Sequence, residues 1–139
     1  MTFDPNLAER LAAFHASIAA SPVDSAFGNI TEVIKPVNQN FSILQPLLQS
    51  AKQQHDLKTI QHYSSQLFES LSASLQQRKQ SGHIRECHGD LHLGNIALSD
   101  DNIIIFDGIE FNDSFRWIDT MSDIAFLVMD LQDHHRDEY

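Results

Sequence analysis

The chain has 139 residues, of which 42% are hydrophobic and 20% are charged, which suits one domain with a modest core and argues against global disorder. The formal net charge of −10 argues against nonspecific binding of nucleic acid, because such binding requires cationic side chains that neutralise phosphates. It favours a cationic substrate or a divalent metal as partner, unless the surplus carboxylates only keep the surface solvated.

The sequence carries no signal for a membrane or for export. No apolar run approaches the length that spans a bilayer, and the opening MTFDPNLAER has Asp4 and Glu9 where a secretory signal has basic residues and an apolar block. The single cysteine, Cys87, fits a reducing compartment and is expected to be a small buried side chain. The protein is therefore predicted to be cytoplasmic and to bind no membrane.

The amino-terminal part is predicted to be helical. A first helix begins at Pro5, with Asp4 as its cap, and runs to about Ala20. His15 adjoins the apolar side of this helix and is expected to be a core or boundary residue. The apolar residues that repeat at helical spacing are Leu7, Leu11, Phe14 and Ile18.

The middle of the chain is less regular. Between residues 23 and 54, Gly28, Pro36 and Pro46 are predicted to break the apolar pattern into short helices or turns. A long helix follows from about residue 56 to residue 79. Its apolar face is predicted to comprise Leu57, Ile60, Leu67, Phe68, Leu71 and Leu75.

The pattern changes after Gly82 to short apolar runs. Residues 96–98 and 103–106 flank a polar stretch at 99–102, which predicts a β-hairpin. A last helix is predicted from about Asp119. The side of this helix that is predicted to be buried comprises Met121, Ile124, Ala125, Val128 and Leu131.

The most informative stretch is HGDLHLGN at residues 88–95, which is followed by the hairpin and then by Asp107. Phosphoryl transfer requires an acceptor hydroxyl that is oriented and deprotonated, and metal ions held between protein oxygens and nucleotide phosphates. Asp90 can accept the hydroxyl proton, and Asn95 and Asp107 offer the neutral and anionic oxygens that Mg²⁺ prefers. The spacing of Asp90 and Asn95 is also that of kinase catalytic loops.

Three stretches together, HGDLHLGNI, IIIFDGIEF and IDTMSDIAFL, resemble the HGD-x-x-x-x-N, metal-aspartate and D-[LI]-A series of the aminoglycoside phosphotransferase and choline kinase family, especially its less characterised bacterial branch. The resemblance covers residues 84 to 131 and, loosely, the preceding helices. It implies a protein-kinase-like carboxyl-terminal lobe, with an α+β fold that is mostly α-helical and a small β-hairpin that carries the catalytic loop.

Under this interpretation residues 1–139 are a single partial domain. It consists of a helical part (1–82), the catalytic loop with the metal-binding hairpin (83–112) and a carboxyl-terminal helix (113–139). The implied reaction transfers the γ-phosphoryl group of ATP, or of another nucleoside triphosphate, to a hydroxyl of a small molecule. Aminoglycosides and choline are cationic, which would suit the acidic balance of this chain.

The resemblance implies a role for each matching residue. Asp90 would be the catalytic base, and Asn95 and Asp107 would bind Mg²⁺ and through it the nucleotide. His88, also in the cofactor-binding loop, would shape that loop more than perform chemistry. Asp123 resembles the family aspartate that braces the catalytic loop from the following helix; the alternative is an exposed helix aspartate.

Two departures from the family pattern bear on activity. Many relatives have a carboxylate two residues after the metal aspartate, whereas Glu110 follows Asp107 by three and is a weak substrate or metal candidate. The five glycines are scattered singly, no Gly-rich phosphate loop is present, and Lys35 beside Pro36 is a poor substitute for the strand lysine. The amino-terminal nucleotide-binding lobe is therefore expected to come in cis from a longer chain or in trans from a partner. The isolated chain is expected to have little or no activity.

Two rival interpretations remain open. A non-catalytic kinase remnant would act only as a binding or regulatory module. A zinc-dependent hydrolase would use His88 and His92, which have the i, i+4 spacing of a helix-borne zinc pair. Gly89 and Gly94 argue against that helix, and the glutamate that a metalloprotease requires between the two histidines is absent.

Overall fold

The structure is a computed structural model that describes residues 5–99 and 102–136. The predicted fold class is confirmed, because the described residues are mostly helical with two small antiparallel strand pairs. None of the helices in these ranges is both long enough and apolar enough to cross a membrane. The elements in chain order are α1 (Pro5–Ser17), α2 (Ile30–Leu44), α3 (Ala51–Gln80), β1 (Ile84–Glu86), β2 (Ile96–Ser99), β3 (Asn102–Ile105), α4 (Asp113–Arg116), β4 (Trp117–Asp119) and α5 (Thr120–Arg136).

The chain divides into two compact units. One unit comprises Met1–Phe27 and Gly82–Tyr139, and the other comprises Gly28–Ser81. We call them the catalytic-loop unit and the helical-pair unit. All of the predicted site residues belong to the catalytic-loop unit.

The helical-pair unit consists of α2 packed on α3. The prediction that Pro36 breaks the chain is wrong, because α2 continues through this residue. A proline inside a helix costs roughly 3 kcal/mol through the lost backbone donor and ring clash. Packing against α3 offsets that cost, since the apolar side of α2 includes the buried Phe41.

Helix α3 begins five residues earlier than predicted, at Ala51. Ser50 and Gln53 form a reciprocal capping box there, which satisfies backbone donors of the first turn. The predicted apolar face is only partly covered: Leu57 is buried, whereas half of the set remains exposed. The exposed members are Ile60, Leu67 and Leu71.

The catalytic-loop unit contains both strand pairs. The predicted hairpin is present as β2 paired with β3, with Ile96 opposite Ile105. The second pair was not predicted: β1 lies antiparallel to β4, with Ile84 opposite Asp119. These two strands are only three residues long and lie far apart in the sequence, so neither shows a detectable period of its own.

The core of this unit contains side chains from α1, from the catalytic loop and from α5. It is formed by Leu7, Leu11, Leu91 and Leu127, with partly buried side chains of the hairpin packed against it. Helix α1 ends at Ser17, before the predicted Ala20, and Asp4, its predicted cap, lies outside the described residues. The fully buried Leu91 adjoins Asp90, so the core itself fixes one side of the catalytic loop.

The inward face of helix α5 matches the predicted one only in part: Leu131 packs against the core, but other members of the predicted set do not. It begins after Asp119, whose carboxylate accepts a hydrogen bond from the Met121 backbone N–H at 2.8 Å. Met121 and Val128, predicted to be buried, are 54% and 39% exposed, whereas Asp123 and Leu127 are buried. The face is rotated because Asp123 accepts hydrogen bonds from buried backbone groups of the catalytic loop.

Candidate active site

The catalytic loop makes a turn at Gly89 that only glycine suits. Its φ is +83°, and a Cβ at this position would lie 2.5 Å from the Phe115 carbonyl oxygen. A side chain would therefore meet both a conformational penalty and a clash with backbone. This close approach directs the chain from the buried His88 to Asp90, which is half-exposed.

His88 joins the catalytic loop to the segment that carries Asp107. Its Nε2 lies 2.7 Å from the Phe106 carbonyl oxygen, and its Nδ1 accepts a hydrogen bond from the Asp90 backbone N–H at 3.3 Å. Because a carbonyl only accepts, the ring proton is on Nε2. The His88 carbonyl also accepts from the Ile109 N–H at 2.9 Å, so hydrogen bonds fasten both sides of Asp107 to the loop.

Asn95 links the same groups from the start of the hairpin. Its side-chain Nδ2 donates to the Asp90 backbone carbonyl at 3.0 Å. Its backbone carbonyl accepts from the Phe106 N–H at 3.1 Å. The amide nitrogen is thus engaged with the protein, and the amide oxygen is the group suited to a cation. Asp107 is exposed and has a φ of +61°, a left-handed conformation that aspartate tolerates better than most residues.

Asp123 lies under the loop and is completely buried (0% exposed). Its Oδ1 accepts from the Gly89 N–H at 2.9 Å, and its Oδ2 accepts from the His88 N–H at 3.3 Å. The structure therefore places Asp123 where a brace would lie, and not at the exposed position of the alternative interpretation. Glu110 is exposed in the segment that follows β3.

A second aspartate of α5, Asp130, was not predicted. Its Oδ2 accepts from the Leu93 N–H at 2.7 Å, at the beginning of the 3₁₀ turn Leu93–Asn95. Seven residues separate it from Asp123, two helical turns, so both carboxylates lie on one face of α5. The seven-residue spacing of the two aspartates is visible in the sequence. It identifies them as partners of the catalytic loop only when the position of that loop beside α5 is known.

Two histidines contact these carboxylates in ways that were not predicted. His15 of α1 donates from Nε2 to Asp123 Oδ2 at 2.9 Å, across 108 positions of sequence. His92 accepts from the Gly94 N–H through Nδ1 at 3.1 Å, which directs Nε2 to Asp90 Oδ2 at 3.6 Å. No local pattern marks the contact of His15, because it joins residues that are 108 positions apart. The contact of His92 with Asp90 is local and depends on the conformation of the loop.

The geometry expected of a helix-borne zinc pair is absent, because His88 lies in irregular structure and His92 has extended backbone. Within the described ranges, the one group of three side chains close enough to hold a metal is His15, Cys87 and Asp123, with ligand atoms within 4.8 Å of one another. Burial, and then the charge of Asp123, raises the pKa of Cys87 to about 12. The thiol is therefore protonated, and its Sγ lies 3.5 Å from the Ile118 carbonyl oxygen.

Comparison with known proteins gives a consistent result. Residues 3–139 match the sequence model of a family described as the phosphotransferase enzyme family (APH). Uncharacterized proteins of Mycobacterium bovis and Mycobacterium tuberculosis are 27% identical over 126 residues, which is 91% of this chain and 25% of each relative. The chain thus spans about a quarter of the length of these relatives. No solved structure matches it significantly.

Proposed function

The chain belongs to the phosphotransferase enzyme family, and we propose that it carries the catalytic loop of an enzyme that transfers the γ-phosphoryl group of ATP to a hydroxyl of a small molecule. The observation that carries this proposal is the hydrogen-bonded connection of Asp90, Asn95 and the segment before Asp107. A general base and two oxygen ligands lie on backbone that is held together at one end of a hairpin. Such fixed positioning is most of what a protein contributes to phosphoryl transfer.

Asp90 is proposed as the general base. Its carboxylate takes the proton of the acceptor hydroxyl, the resulting oxygen attacks the γ-phosphorus, and the bond to the bridging oxygen of the β-phosphate breaks with its electrons on the departing ADP. Half-exposure leaves the carboxylate accessible to an acceptor. The imidazole of His92 lies beside the same carboxylate, with Nε2 3.6 Å from Asp90 Oδ2.

Asn95 and Asp107 are proposed to hold Mg²⁺. An amide oxygen and a carboxylate are the hard oxygen donors that this ion accepts, with water and phosphate oxygens in its other positions. When bound, Mg²⁺ neutralises charge on the β- and γ-phosphates. The hydrogen bond from Asn95 Nδ2 to the Asp90 carbonyl orients the amide, so this ligand is arranged before a cation arrives.

The acceptor is proposed to be cationic, because the net charge of −10 attracts positively charged small molecules. Groups that cover the nucleotide phosphates are proposed to come from outside these 139 residues, in the same polypeptide or in a second one. Two observations support this: the glycines occur singly, and the alignment with this chain covers only 25% of each relative.

The test measures phosphotransfer from ATP to a panel of cationic hydroxyl compounds. It compares this chain alone with the longest open reading frame that contains it. We expect activity only in the longer protein and a loss of about 100-fold or more in kcat for Asp90→Asn. Asp133→Asn, an exposed carboxylate on α5, is the matched control and should retain full activity. Full activity of Asp90→Asn would overturn the assignment of the base.

Metal binding is measured separately by calorimetry with Mg²⁺ alone and with Mg²⁺ plus ATP. Asp107→Asn removes the anionic ligand and should weaken binding by at least about 10-fold, since anionic oxygens dominate Mg²⁺ affinity. A longer protein that neither binds Mg²⁺ with nucleotide nor transfers phosphoryl groups would support the alternative of a non-catalytic remnant. Stoichiometric zinc in the purified protein would support the hydrolase.

A further inference from the structure

The buried pair of His15 and Asp123 connects the amino-terminal helix to the catalytic loop. We propose that His15 is a positioning residue, which fixes the carboxylate that holds the loop and thereby orients Asp90. This inference rests on the proposed function of Asp90 as the base. The proposal gives α1 a role in orienting the catalytic loop, which the sequence motif of the loop does not indicate.

Three hydrogen bonds orient the carboxylate of Asp123. His15 Nε2 and the His88 N–H share Oδ2, at 2.9 and 3.3 Å, and the Gly89 N–H occupies Oδ1 at 2.9 Å. Both side chains are buried, at 7% and 0% exposure. His15 is the side-chain donor among these three groups, so it determines how the carboxylate is turned toward the two amides.

The orientation of Asp123 passes directly to Asp90. Gly89 is the residue before Asp90, and the Asp90 N–H donates to His88 Nδ1. The two amides that Asp123 holds therefore belong to the residues that set the path of the chain into the base. A displacement of about 1 Å in such a group lowers the rate by about 100-fold.

The helix that carries His15 is itself fastened close to this residue. Arg85 of β1 donates through Nη1 to the carbonyl oxygens of Ala16 and Ile18, at 3.2 and 3.0 Å. These are carbonyls at the end of α1, where backbone acceptors lack helical partners. His15 therefore sits at a fixed distance from the strand that leads into the catalytic loop.

A metal ion bound by His15, Cys87 and Asp123 is the competing explanation for this cluster. Two features argue against it. The Cys87 thiol donates to the Ile118 carbonyl oxygen, which lies 3.5 Å from Sγ, so in this arrangement it is engaged as a neutral S–H and not as a thiolate ligand. The oxygens of Asp123 already accept three hydrogen bonds, and zinc would have to displace the one from His15.

The test compares His15→Leu with His15→Gln in otherwise unaltered protein. The amide of glutamine places a donor close to the position of histidine Nε2, whereas leucine fills similar space without a donor. Backbone amide hydrogen exchange at His88 and Gly89 is the readout, with amides of α3 in the helical-pair unit as the internal reference. We expect His15→Leu to accelerate exchange at both loop amides at least about 10-fold and His15→Gln to restore slow exchange.

Three outcomes overturn the proposal. Unchanged loop exchange in His15→Leu means that His15 does not hold Asp123 in place. Equal acceleration in both variants means that the ring is needed for packing alone. Stoichiometric zinc in the purified protein that is lost in both variants also overturns it, since His15 would then be a ligand.

Kinetics of the longer protein separate this proposal from the proposed function. His15→Leu should lower kcat about 100-fold with an unchanged KM for the acceptor, and His15→Gln should recover most of kcat. If the unaltered protein transfers no phosphoryl group, the proposed function fails while the exchange data still decide whether His15 positions the loop. If the protein is active and His15→Leu keeps full kcat, this inference fails alone.

Discussion

Replacing Gly89 by alanine tests whether the backbone of the catalytic loop has room for a side chain. The left-handed φ of +83° costs an L-residue about 1–2 kcal/mol. The new Cβ would lie 2.5 Å from the Phe115 carbonyl oxygen, whereas carbon and carbonyl oxygen normally stay about 3.3 Å apart. The loop must therefore shift by about 0.8 Å to restore that normal separation.

The shift moves the Gly89 N–H away from Asp123 Oδ1. In the unaltered protein the backbone nitrogen lies 2.9 Å from this oxygen. A buried acceptor that loses its donor costs about 1–3 kcal/mol. Together with the conformational penalty, Gly89→Ala should lower the free energy of unfolding by about 2–5 kcal/mol. A backbone carbonyl cannot rotate aside as a flexible side chain would, so relaxation recovers little of this loss.

Gly82→Ala is the matched control. Its φ is +75°, and nothing lies within 4 Å of the position a Cβ would take, so it should lose only the conformational part, about 1–2 kcal/mol. Urea unfolding of the three proteins measures the difference. Equal losses for the two variants would refute the reasoning, because the approach of Phe115 would then impose no constraint on the loop.

The remaining predictions concern the buried groups below the loop. Asp123→Asn should lower the free energy of unfolding by about 3 kcal/mol, because an amide offers one acceptor oxygen to three donors; an unfolding midpoint in urea like that of the unaltered chain would contradict this. Asp130→Ala should cost about 1 kcal/mol through the lost hydrogen bond to Leu93, and Asp133→Ala, exposed on the same helix, should change stability by less than about 0.5 kcal/mol in the same assay. Cys87 in the native protein should react with an aromatic disulfide at pH 8 about 1,000-fold more slowly than after unfolding, since its pKa rises from 9.0 to about 12; rapid native reaction would disprove the burial. Because the folded state holds this proton more tightly, stability should fall as pH rises from about 9 to about 12, and Cys87→Ala should remove that part of the fall.

The sequence located the elements whose signals are local. Helical spacing of apolar residues indicated α1 and α3, short apolar runs on either side of a polar stretch indicated the hairpin, and the stretch 88–95 with Asp107 indicated a phosphotransferase loop. These signals lie within a few residues of one another, so they survive without knowledge of the fold. The family comparison supports the same assignment.

Local rules failed where packing competed with them. Pro36 remains inside α2 because the helix packs on α3. The buried face of α5 was only partly predicted, because apolar periodicity assumes that the inward residues are apolar, whereas here Asp123 faces inward. A buried carboxylate is stable when hydrogen bonds replace its water, and its donors come from a loop 34 and 35 residues earlier in the chain.

What the sequence alone determined is therefore the family and the kind of chemistry proposed for it, since the proposed base and the proposed ligands lie close together along the chain. What only the tertiary structure decided is how those residues are held. His15 and Asp123 are 108 residues apart, β1 pairs with the distant β4, and Asp130 reaches back 37 residues to Leu93. Each of these contacts forms only when distant parts of the chain pack around a shared core. The free energy of burial that drives this packing depends on all the elements together.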